Sequence, residues 1–340
     1  MTMAPQDWFA PVATAAASGL VVLLLLPPLI AWLTRRAVMD IPNARSSHVR
    51  ATPRGGGIAL VAGILFGNVV WLVLQPDTGY PLAVLGMVAL AVISWLDDRH
   101  GGLPVMLRLG MQVLVVGVVL ALFPANGSMT TGLVPVWIER VVLFFAWIWF
   151  INLFNFMDGI NGISGVEMVS IGLGAALLGL WQGEDPAGQV QALVLAAAAL
   201  GFLPWNWGRA RVFLGDVGSV PAGFMLGLLL LTLVSAGQWA AALILPMYYW
   251  VDATLTLLRR LLRREKVWQA HRSHFYQRGA DRLGSHAAVA GRIALLNVAL
   301  IGLALASTLS PAAAVLAVAA ALVLALLLCK HFAGPAKPVV

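Results

Sequence analysis

Residues 81–96 read PLAVLGMVALAVISWL, and the next four read DDRH. The apolar run holds one polar side chain, Ser94, and a pair of carboxylates follows it directly. An α-helix crosses a hydrocarbon core of ~30 Å with ~20 apolar residues, at 1.5 Å of rise each. The stretch therefore predicts a membrane-spanning helix whose charged end lies where the membrane meets water.

Comparable apolar runs flank this one along the whole chain. Hydrophobic residues make up 61% of the sequence and charged residues 10%, whereas roughly a quarter of the residues of a soluble domain are charged. The sequence therefore predicts an all-α, polytopic integral membrane protein that forms a single transmembrane catalytic domain over residues 1–340. About eleven transmembrane helices are expected, near residues 10–33, 56–75, 81–96, 104–123, 138–156, 163–181, 188–205, 219–236, 238–257, 287–307 and 311–329.

The connections between these runs differ in charge. With eleven spans, 20 of the 21 Lys and Arg residues fall on one side of the membrane, and only Arg140 falls on the other. Basic connections stay in the cytoplasm, so the N-terminus is expected outside and the C-terminus in the cytoplasm. The net charge of +7 is interleaved with spans and predicts no nucleic-acid partner. The cytoplasmic loops are expected near residues 34–55, 97–103, 157–162, 206–218 and 258–286.

Adjacent carboxylates, Asp97 and Asp98, end the third predicted span. Ionised groups at membrane depth are costly, so a pair of them needs a reason beyond solubility. Because neighbouring side chains on a helix point ~100° apart, we expect one to face a reaction site and the other a structural or cationic partner. An ordinary charged cap, where a helix meets water, is the alternative.

Amide and carboxylate side chains also gather at the end of the fifth predicted span. Asn152 and Asn155 lie three residues apart and share one helix face, and Asp158 and Asn161 follow in a glycine-rich turn. A polar pocket is the functional interpretation. An interhelical loop with Asx turns would explain the Asp-Gly and Asn-Gly steps, but not two asparagines inside an apolar span.

The eighth predicted span opens with the run Gly215-Asp216-Val217-Gly218-Ser219. This pattern joins a carboxylate to exposed backbone N–H groups and to the positive end of the helix dipole. Mg²⁺ is usually held by one or two carboxylates together with substrate phosphates and waters. We therefore expect Asp216 to hold a magnesium ion carried in with a diphosphate. A capped helix start is the alternative, since Asp is a favoured cap.

The longest and most basic connection contains His271, Arg272, His274 and Arg278. Guanidinium groups match phosphate oxygens and imidazoles donate hydrogen bonds, so this pattern predicts a phosphate-recognising surface. A zinc site is the alternative, which no nearby cysteine supports.

Four further positions remain. Three of them have two possible roles each, and the fourth has no assigned role. Arg45 and His48, in the basic first connection, are expected to meet an anionic lipid headgroup, although positive-inside placement explains the charge equally well. It does not explain the Pro-Arg-Gly-Gly-Gly run that ends this connection. Asp252, near the inner end of the ninth span, is expected to line the site, with a buried structural hydrogen bond as the alternative. The role of Glu167 is left open.

Taken in order, these clusters resemble the polyprenyl-phosphate N-acetylhexosamine-1-phosphate transferase superfamily, which contains the lipid I-forming and the O-antigen-priming enzymes. The resemblance runs from about residue 40 to about residue 282. The motif that begins at His271 reads HRSHFYQR, and it resembles the O-antigen-priming branch rather than the histidine run of the lipid I-forming branch. The PNARSSH and RGGG runs of the first connection resemble the same branch. This difference argues against a muramoyl-pentapeptide substrate.

The resemblance implies a multi-pass enzyme of the bacterial inner (cytoplasmic) membrane, with its active site on the cytoplasmic face. The enzyme would transfer an N-acetylhexosamine 1-phosphate from a UDP-sugar to undecaprenyl phosphate and release UMP. The product would start a lipid-linked glycan such as the O-antigen of lipopolysaccharide. The implied cofactor is Mg²⁺, with Mn²⁺ as the alternative ion, and a homodimer is left open.

The residues expected to act form three sets. Catalysis is assigned to Asp97, Asp98, Asp158 and Asp216. The metal would be held by Asp216, Asp97 and Asp98. By the resemblance, Arg108 would pair with Gln112 behind the aspartates. Substrate binding is assigned to Asn152, Asn155, Asn161, Arg45, His48, Arg108, Gly218, Ser219, Asp252, His271, Arg272, His274 and Arg278.

A transporter or flippase of an anionic lipid or solute is the rival class. In such a protein, acidic side chains would line a path across the membrane. Here the acids gather at one face and charges near the middle of the bilayer are nearly missing. This distribution favours the enzyme.

Overall fold

The computed structural model describes residues 8–42, 50–76, 80–100, 102–123, 134–266 and 271–334. Two of the predicted substrate-binding residues, Arg45 and His48, lie outside these ranges. The described residues form thirteen α-helices, one two-stranded sheet and a short 3-10 helix at Pro186–Gln189. In chain order the elements are α1 (Phe9–Arg35), β1 (Met39–Asp40), β2 (Thr52–Pro53), α2 (Gly57–Leu74), α3 (Pro81–His100), α4 (Val105–Leu122), α5 (Val136–Phe156), α6 (Ile163–Gln182), α7 (Val190–Asn206), α8 (Asp216–Ser235), α9 (Trp239–Ile244), α10 (Met247–Leu262), α11 (Phe275–Leu283), α12 (His286–Ala306) and α13 (Pro311–Phe332).

The predicted all-α membrane fold is confirmed. In the described part of the chain, ten helices are long and apolar enough to cross a membrane: α1 to α8, α12 and α13. The ninth predicted span, 238–257, is not continuous, because α9 ends at Ile244 and α10 starts at Met247. Pro246 lies between them, and proline lacks the N–H that a continuing helix needs. The predicted ninth span is therefore two short helices, α9 and α10.

Four predicted loops contain regular structure. The segment 258–286 holds the last turn of α10 and all of α11, and the segment 34–55 holds the antiparallel strands β1 and β2. Asp97 and Asp98 lie in the last turn of α3, and Asp216 is the first residue of α8. The loop boundaries at these places were therefore wrong by up to one helical turn. Hydropathy ends a predicted span where polar residues begin, although the helix can continue through a further polar turn.

Helix α8 lies at the centre of the bundle. It packs against α2, α3 and α5, and every residue from Val217 to Leu231 is buried. A helix that is apolar on all sides is expected in such a central position. At its N-terminal end it crosses α2 so closely that a methyl group on Gly57 would lie 2.2 Å from the Cα of Gly218. This crossing holds Asp216 in the middle of one end of the bundle.

The connection before α2 is bound to the connection before α8. The N–H of Phe213 donates to the carbonyl of Pro53 at 2.8 Å, and the N–H of Gly56 donates to the carbonyl of Phe213 at 2.8 Å. Arg54 lies between these bonds and forms a parallel bridge with Phe213. The pairing therefore brings Arg54 to the N-terminus of α8, although the two segments are far apart in sequence.

Candidate active site

Three carboxylates and two arginines meet at one end of the bundle, and we name Arg54, Asp97, Asp98, Arg108 and Asp216 the carboxylate cluster. The Nη2 atom of Arg54 lies 2.8 Å from Asp98 and 3.0 Å from Asp216. The Nη1 atom of Arg108 lies 2.8 Å from Asp97 and 3.7 Å from Asp216. Each guanidinium therefore joins one aspartate of α3 to the aspartate that opens α8.

The two adjacent aspartates of α3 have different partners. Asp97 is buried, pairs with Arg108, and accepts the backbone N–H of Leu103. Asp98 pairs with Arg54 and accepts the N–H of Val217 at 3.4 Å. Each carboxylate therefore has one arginine and one backbone N–H as partners. The expected division into one reactive and one structural carboxylate stays a prediction.

The two asparagines of α5 share one face, as predicted, and contact two different helices. Asn155 donates to Asp216 at 3.2 Å and to Ser219 at 2.8 Å, both on α8. Asn152 donates to the side chain of Gln112, on α4, at 2.7 Å. The face of α5 is therefore a polar strip between α4 and α8, and Asn155 directly adjoins the carboxylate cluster.

Asp158 lies in the turn between α5 and α6, next to this strip. Its carboxylate accepts the hydroxyl of Ser164 at 2.6 Å. Burial raises the pKa of Asp158 to about 7, and the nearby negative charges of Asp216 and Asp98 act in the same direction, while Ser164 and Arg54 oppose them. A carboxyl with a pKa near neutrality can take up or release a proton under physiological conditions.

Asp252 is not in the carboxylate cluster, and its predicted site-lining role is corrected to the structural alternative. Its side chain is fully buried in α10. It accepts the backbone N–H groups of Phe275 and Tyr276 at 3.0 and 2.9 Å, and it contacts His274 Nδ1 at 3.1 Å. Asp252 therefore satisfies the otherwise unpaired N–H groups that open α11.

The motif His271–Arg278 lies around this aspartate and forms a second cluster. His274 is buried between its Asp252 contact and the ring of Tyr276, and its predicted contact with substrate stays a prediction. Burial, followed by the charges of nearby His274 and Arg260, lowers the pKa of His271 to about 4. At neutral pH this imidazole is uncharged and offers a substrate hydrogen bonds only.

The two arginines of the motif bind other parts of the protein. Arg272 pairs with Asp281 of α11. Arg278 is exposed and donates to the carbonyl of Ala333 at 2.9 Å, which ties α11 to the end of α13. The predicted role of Arg278 in substrate binding is thus replaced by a link between helices. A sequence pattern cannot tell which cations of a short helix point toward a neighbouring helix.

Tyr276 links the His271–Arg278 motif to the turn that carries Asp158. The hydroxyl of Tyr276 donates to the carbonyl of Phe156 at 2.9 Å, two residues before Asp158. A methyl group on Gly159 would lie 2.1 Å from that hydroxyl. The His271–Arg278 motif therefore supports the turn that carries Asp158, rather than lining the carboxylate cluster itself.

Three other predicted substrate-binding residues have contacts within the protein, and their substrate roles stay predictions. Gly218 has no free space, because it crosses Gly57. Ser219 is fully buried, where it accepts from Asn155. Asn161 donates through its side chain to the carbonyl of Gly208 at 2.6 Å. These residues place the ends of α5, α6, α7 and α8 relative to one another.

A basic cavity of about 620 Å³ lies beside the carboxylate cluster. It shares the Pro53–Phe213 pairing with the cluster as a common wall. Its rim carries three exposed arginines, Arg50, Arg209 and Arg211. This surface has the size and charge to bind an anionic organic molecule.

Sequence reasoning missed Arg54 and the three arginines of the cavity. For Arg54 a signal existed, because positive-inside placement did not explain the three glycines that follow it. These glycines allow the backbone to run against α8, and this contact delivers the arginine to Asp216. The cavity arginines gave no local signal, since they come from two connections that only the fold brings together.

The fit of a magnesium ion can be judged from the donors present. Among the described residues, His, Cys, Asp and Glu form no group of three or more that could hold a metal by themselves. Mg²⁺ needs fewer, since substrate phosphates and waters complete its coordination. Asp98 and Asp216 approach the same nitrogen of Arg54, so their oxygens converge, and Asn155 donates its amide N–H to Asp216. The two carboxylates fit Mg²⁺ bound together with a diphosphate.

Comparisons with known proteins match the region that contains this site. The family model described as glycosyl transferase family 4 matches residues 80–234. A phospho-N-acetylmuramoyl-pentapeptide-transferase of Moorella thermoacetica is 32% identical over 237 residues, covering 62% of this chain and 72% of that protein. A probable undecaprenyl-phosphate N-acetylglucosaminyl 1-phosphate transferase of Bacillus subtilis is 24% identical over 278 residues, covering 76% of this chain and 75% of that protein.

A third relative matches over a shorter stretch. The decaprenyl-phosphate N-acetylglucosaminephosphotransferase of Mycolicibacterium smegmatis is 30% identical over 218 residues, which cover 57% of this chain and 52% of that protein. The match thus spans about half the length of this relative. The segment matched by the family model contains Asp97, Asp98, Asn155, Asp158 and Asp216.

Proposed function

The chain belongs to glycosyl transferase family 4, and from that membership we propose that it transfers an N-acetylhexosamine 1-phosphate from a UDP-sugar to a polyprenyl phosphate, such as undecaprenyl phosphate. The observation that carries the proposal is the convergence of Asp98, Asp216 and Asn155 at one end of a membrane bundle. Both substrates carry phosphates, and one of them is a lipid. A site at a helix-bundle end suits a reaction between a water-soluble and a membrane-bound substrate.

In the proposed reaction, an oxygen of the polyprenyl phosphate attacks the β-phosphorus of the UDP-sugar. The bond from that phosphorus to the bridging oxygen breaks, and UMP leaves with the electron pair of the broken bond. The products are UMP and a polyprenyl diphosphate sugar. There is little covalent chemistry for the protein to perform, so positioning and charge stabilisation supply most of the catalysis.

Asp98 and Asp216 would hold Mg²⁺, or Mn²⁺ as the alternative ion, and Asn155 would orient Asp216 through its amide N–H. When bound, the ion would offset the negative charge of the diphosphate as UMP departs. Arg54 and Arg108 hold the two carboxylates in place, and each can donate further hydrogen bonds to a phosphate. Asp158, with its pKa near 7, would accept the proton of a singly protonated acceptor phosphate.

The basic cavity is proposed to hold the nucleotide. Arg50, Arg209 and Arg211 would neutralise the phosphates, and the ring of Phe213 lies in the wall shared with the carboxylate cluster. A UDP-sugar bound there would place its diphosphate next to Asp216.

The biological setting is proposed from charge and motif. The basic connections support a location of the cluster at the cytoplasmic face of a bacterial inner membrane, where nucleotide sugars are available. The HRSHFYQR motif, which resembles the O-antigen-priming branch, supports a UDP-N-acetylhexosamine as the donor. It also supports a lipid-linked glycan such as O-antigen as the polymer that the product starts.

Release of UMP by purified protein tests the proposal. The protein in detergent would receive undecaprenyl phosphate and, in turn, several UDP-N-acetylhexosamines and UDP-N-acetylmuramoyl-pentapeptide, with Mg²⁺, with Mn²⁺ and with chelator. We expect UMP and a lipid-linked sugar with at least one UDP-N-acetylhexosamine, and loss of both with chelator. Release of no UMP from any donor, with movement of an anionic lipid across vesicles that contain the protein, would establish the transporter instead.

Exchange of label separates two chemical routes. If the lipid phosphate attacks directly, labelled UMP enters the UDP-sugar only when polyprenyl phosphate is present. If Asp98 first forms an aspartyl-phosphate linked to the sugar, UMP leaves before the lipid binds, and exchange proceeds without lipid. Measurement of this exchange without acceptor distinguishes the routes.

A further inference from the structure

An apolar recess of about 560 Å³ lies between the last two helices, α12 and α13. Its α12 wall contains Ala299 and Gly302, and its α13 wall contains Ala320 and Val323. The small side chains leave space between two helices that otherwise pack together. Val323 is 54% exposed, so the recess opens to the surroundings of the bundle, which in a membrane are hydrocarbon.

Three basic residues lie beyond one end of this recess, and we name Arg282, Arg292 and Lys330 the C-terminal basic cluster. They belong to α11, α12 and α13, and the last two are exposed. Arg282 donates to the carbonyl of His331, the residue after Lys330. The charges of Arg282 and Arg292 both act on the ring of His331. The ends of three helices therefore bring these cations together.

The chain offers this cluster no nearby acid. Residues 282–340 contain no Asp and no Glu, and Asp281, the last acid of the sequence, pairs with Arg272. Uncompensated cations at a membrane surface attract anionic headgroups, by ~1 kcal/mol for each Lys or Arg. Guanidinium groups also match the oxygens of a phosphate. The cluster therefore has the charge to bind a lipid phosphate.

Helical spacing aligns the cations with the recess. Arg292 lies seven residues before Ala299 on α12, and Lys330 lies seven residues after Val323 on α13, so each shares a helix face with one wall, about 10 Å along the axis. Leu295, on the same face of α12, is 73% exposed. The headgroup region of a bilayer is about 5–8 Å thick on each side. Cations at that depth therefore place the recess in the adjoining hydrocarbon.

The recess is separate from the carboxylate cluster. That cluster is formed by α3, α4, α8 and the connection before α2, whereas α12 and α13 line the recess. Both lie toward the same end of the bundle, because His286, which opens α12, accepts the N–H of Asn161 at 3.3 Å. A lipid in this recess would therefore bind in the same leaflet as the acceptor, at a different position.

We propose that the recess and the C-terminal basic cluster together bind one anionic phospholipid, with an acyl chain in the recess and the phosphate at Arg292 and Lys330. A zwitterionic phospholipid matches the recess but not the uncompensated charge, and a soluble phosphate matches the cations but not the recess. Arg278 and Arg282 already tie α11 to α13. The lipid adds a link between α12 and α13, and it takes no part in the proposed transfer reaction.

Native mass spectrometry of the protein in detergent tests the proposal by counting bound lipids. The protein is titrated with phosphatidylglycerol, which is anionic, or with phosphatidylcholine, which is zwitterionic. We expect one phosphatidylglycerol per chain to bind more tightly than any further one, and phosphatidylcholine to bind more weakly. The double variant Arg292→Gln/Lys330→Gln should weaken this binding about thirtyfold, at ~1 kcal/mol for each cation.

Two arginines at the end of α1 provide the matched control. Arg35 and Arg36 are exposed, and the charge pattern places them on the same side of the membrane. Arg35→Gln/Arg36→Gln removes the same charge and should keep the tightly bound lipid. The proposal is overturned if the two double variants lose it equally, if neither loses it, or if phosphatidylcholine binds the wild-type protein as tightly as phosphatidylglycerol.

Filling the recess tests the position of the acyl chain. In Ala320→Trp an indole ring occupies the recess, and we expect phosphatidylglycerol to bind about tenfold more weakly, the effect of losing burial of about two methylene groups. The Tm of this variant without added lipid should stay near the wild-type value, which shows that the fold is retained. Wild-type lipid binding in Ala320→Trp would overturn the proposal, and loss of a dimer in that case would assign the recess to a second copy of the chain.

Competition distinguishes the remaining occupants. Soluble glycerol 1-phosphate, and undecaprenyl phosphate equimolar with phosphatidylglycerol, should displace little of the tightly bound lipid from the wild-type protein. Displacement by glycerol 1-phosphate would mean that the cations bind phosphate without a chain. Displacement by undecaprenyl phosphate would make the recess a site for the acceptor. Either result would overturn the proposal, and neither depends on whether the protein releases UMP.

Discussion

At the scale of single residues, Arg54 determines how the carboxylate cluster holds together. Asp98 and Asp216 would repel each other at this separation if nothing cationic lay between them. The shared Nη2 atom of Arg54 offsets that repulsion, and a bound divalent ion would do so more strongly. Arg54 is partly exposed, so its guanidinium can reorient when substrate arrives. Two predictions concern individual side chains at this site.

Replacement of the aspartate that opens α8 tests the centre of the cluster. Asp216→Asn keeps the size of the side chain and removes its charge, so the folded protein should be retained while kcat/KM falls by at least about a hundredfold. Activity is measured by UMP release, and folding by thermal unfolding in detergent. The control is Asp185→Asn, an exposed helix cap at the opposite end of the bundle, which should keep full activity. Wild-type activity in Asp216→Asn would refute a metal role for Asp216.

The buried carboxyl of Asp158 predicts a dependence of stability on pH. Its pKa is raised from 3.8 to about 7. Below about pH 4 the carboxyl is protonated in both the folded and the unfolded state. Between about pH 4 and about pH 7 the unfolded chain ionises first, so the contribution of Asp158 to stability decreases as the pH rises. Asp158→Asn, which stays neutral, should therefore gain Tm relative to wild type between about pH 5 and about pH 8.

Thermal unfolding of both proteins at these two pH values measures the effect. An equal Tm difference at both values would contradict the raised pKa of Asp158. Asp185→Asn serves as the comparison for a carboxylate on the surface, and its Tm difference from wild type should change little with pH.

At the scale of helices, much of the architecture follows from hydropathy, and the exceptions have physical causes. The predicted span 163–181 agrees closely with α6, because a long apolar run in lipid has few alternatives to a helix. The break at Pro246 had a visible signal in the proline itself. Helix α11 had none, because its polar sequence resembles a loop and its start depends on Asp252, more than twenty residues away.

The same limit applies to the site. The sequence placed Asp98, Asn155 and Asp216 among the candidates, because a carboxylate or amide at the end of an apolar span needs an explanation. It also grouped Asp98 with Asp216 as metal ligands, but it did not include Arg54, which is 162 residues from Asp216. The same patterns also suggested His274 and Asp252, which the fold buries in the support of α11.

The crossing of α2 and α8 should tolerate no added atoms. A methyl group on Gly57 would lie 2.2 Å from the Cα of Gly218, and backbone cannot move aside as a flexible side chain can. Gly57→Ala should therefore destabilise the protein by about 1–3 kcal/mol, the usual cost of overpacking. It should also reduce activity, because the crossing holds Asp216. Thermal unfolding and UMP release measure the two effects.

The control is a glycine in open space. Gly291→Ala, on α12, meets nothing within 4 Å, and alanine favours a helix over glycine, so stability should be unchanged or slightly higher. Equal behaviour of the two variants would mean that the α2–α8 crossing is looser than its geometry indicates.

At the scale of the whole molecule, the distribution of charge predicts the orientation in the membrane. The only cysteine, Cys329, is buried, so the wild-type protein gives a low background for thiol labelling. In intact cells, an impermeant maleimide should label Gly188→Cys, at the end opposite the carboxylate cluster, without lysis. Lys266→Cys, in the connection after α10, should be labelled only after lysis. The reverse result would place the cluster outside and contradict the cytoplasmic site.

The long separation between Asp98 and Asp216 bears on how the protein is made. A ribosome that has completed α7 has synthesised every member of the carboxylate cluster except the aspartate that opens α8. Until α8 is made, Asp216 is missing from the carboxylate cluster, and the proposed site is incomplete. The complete carboxylate cluster therefore forms late in translation, when α8 inserts between helices that are already in the membrane.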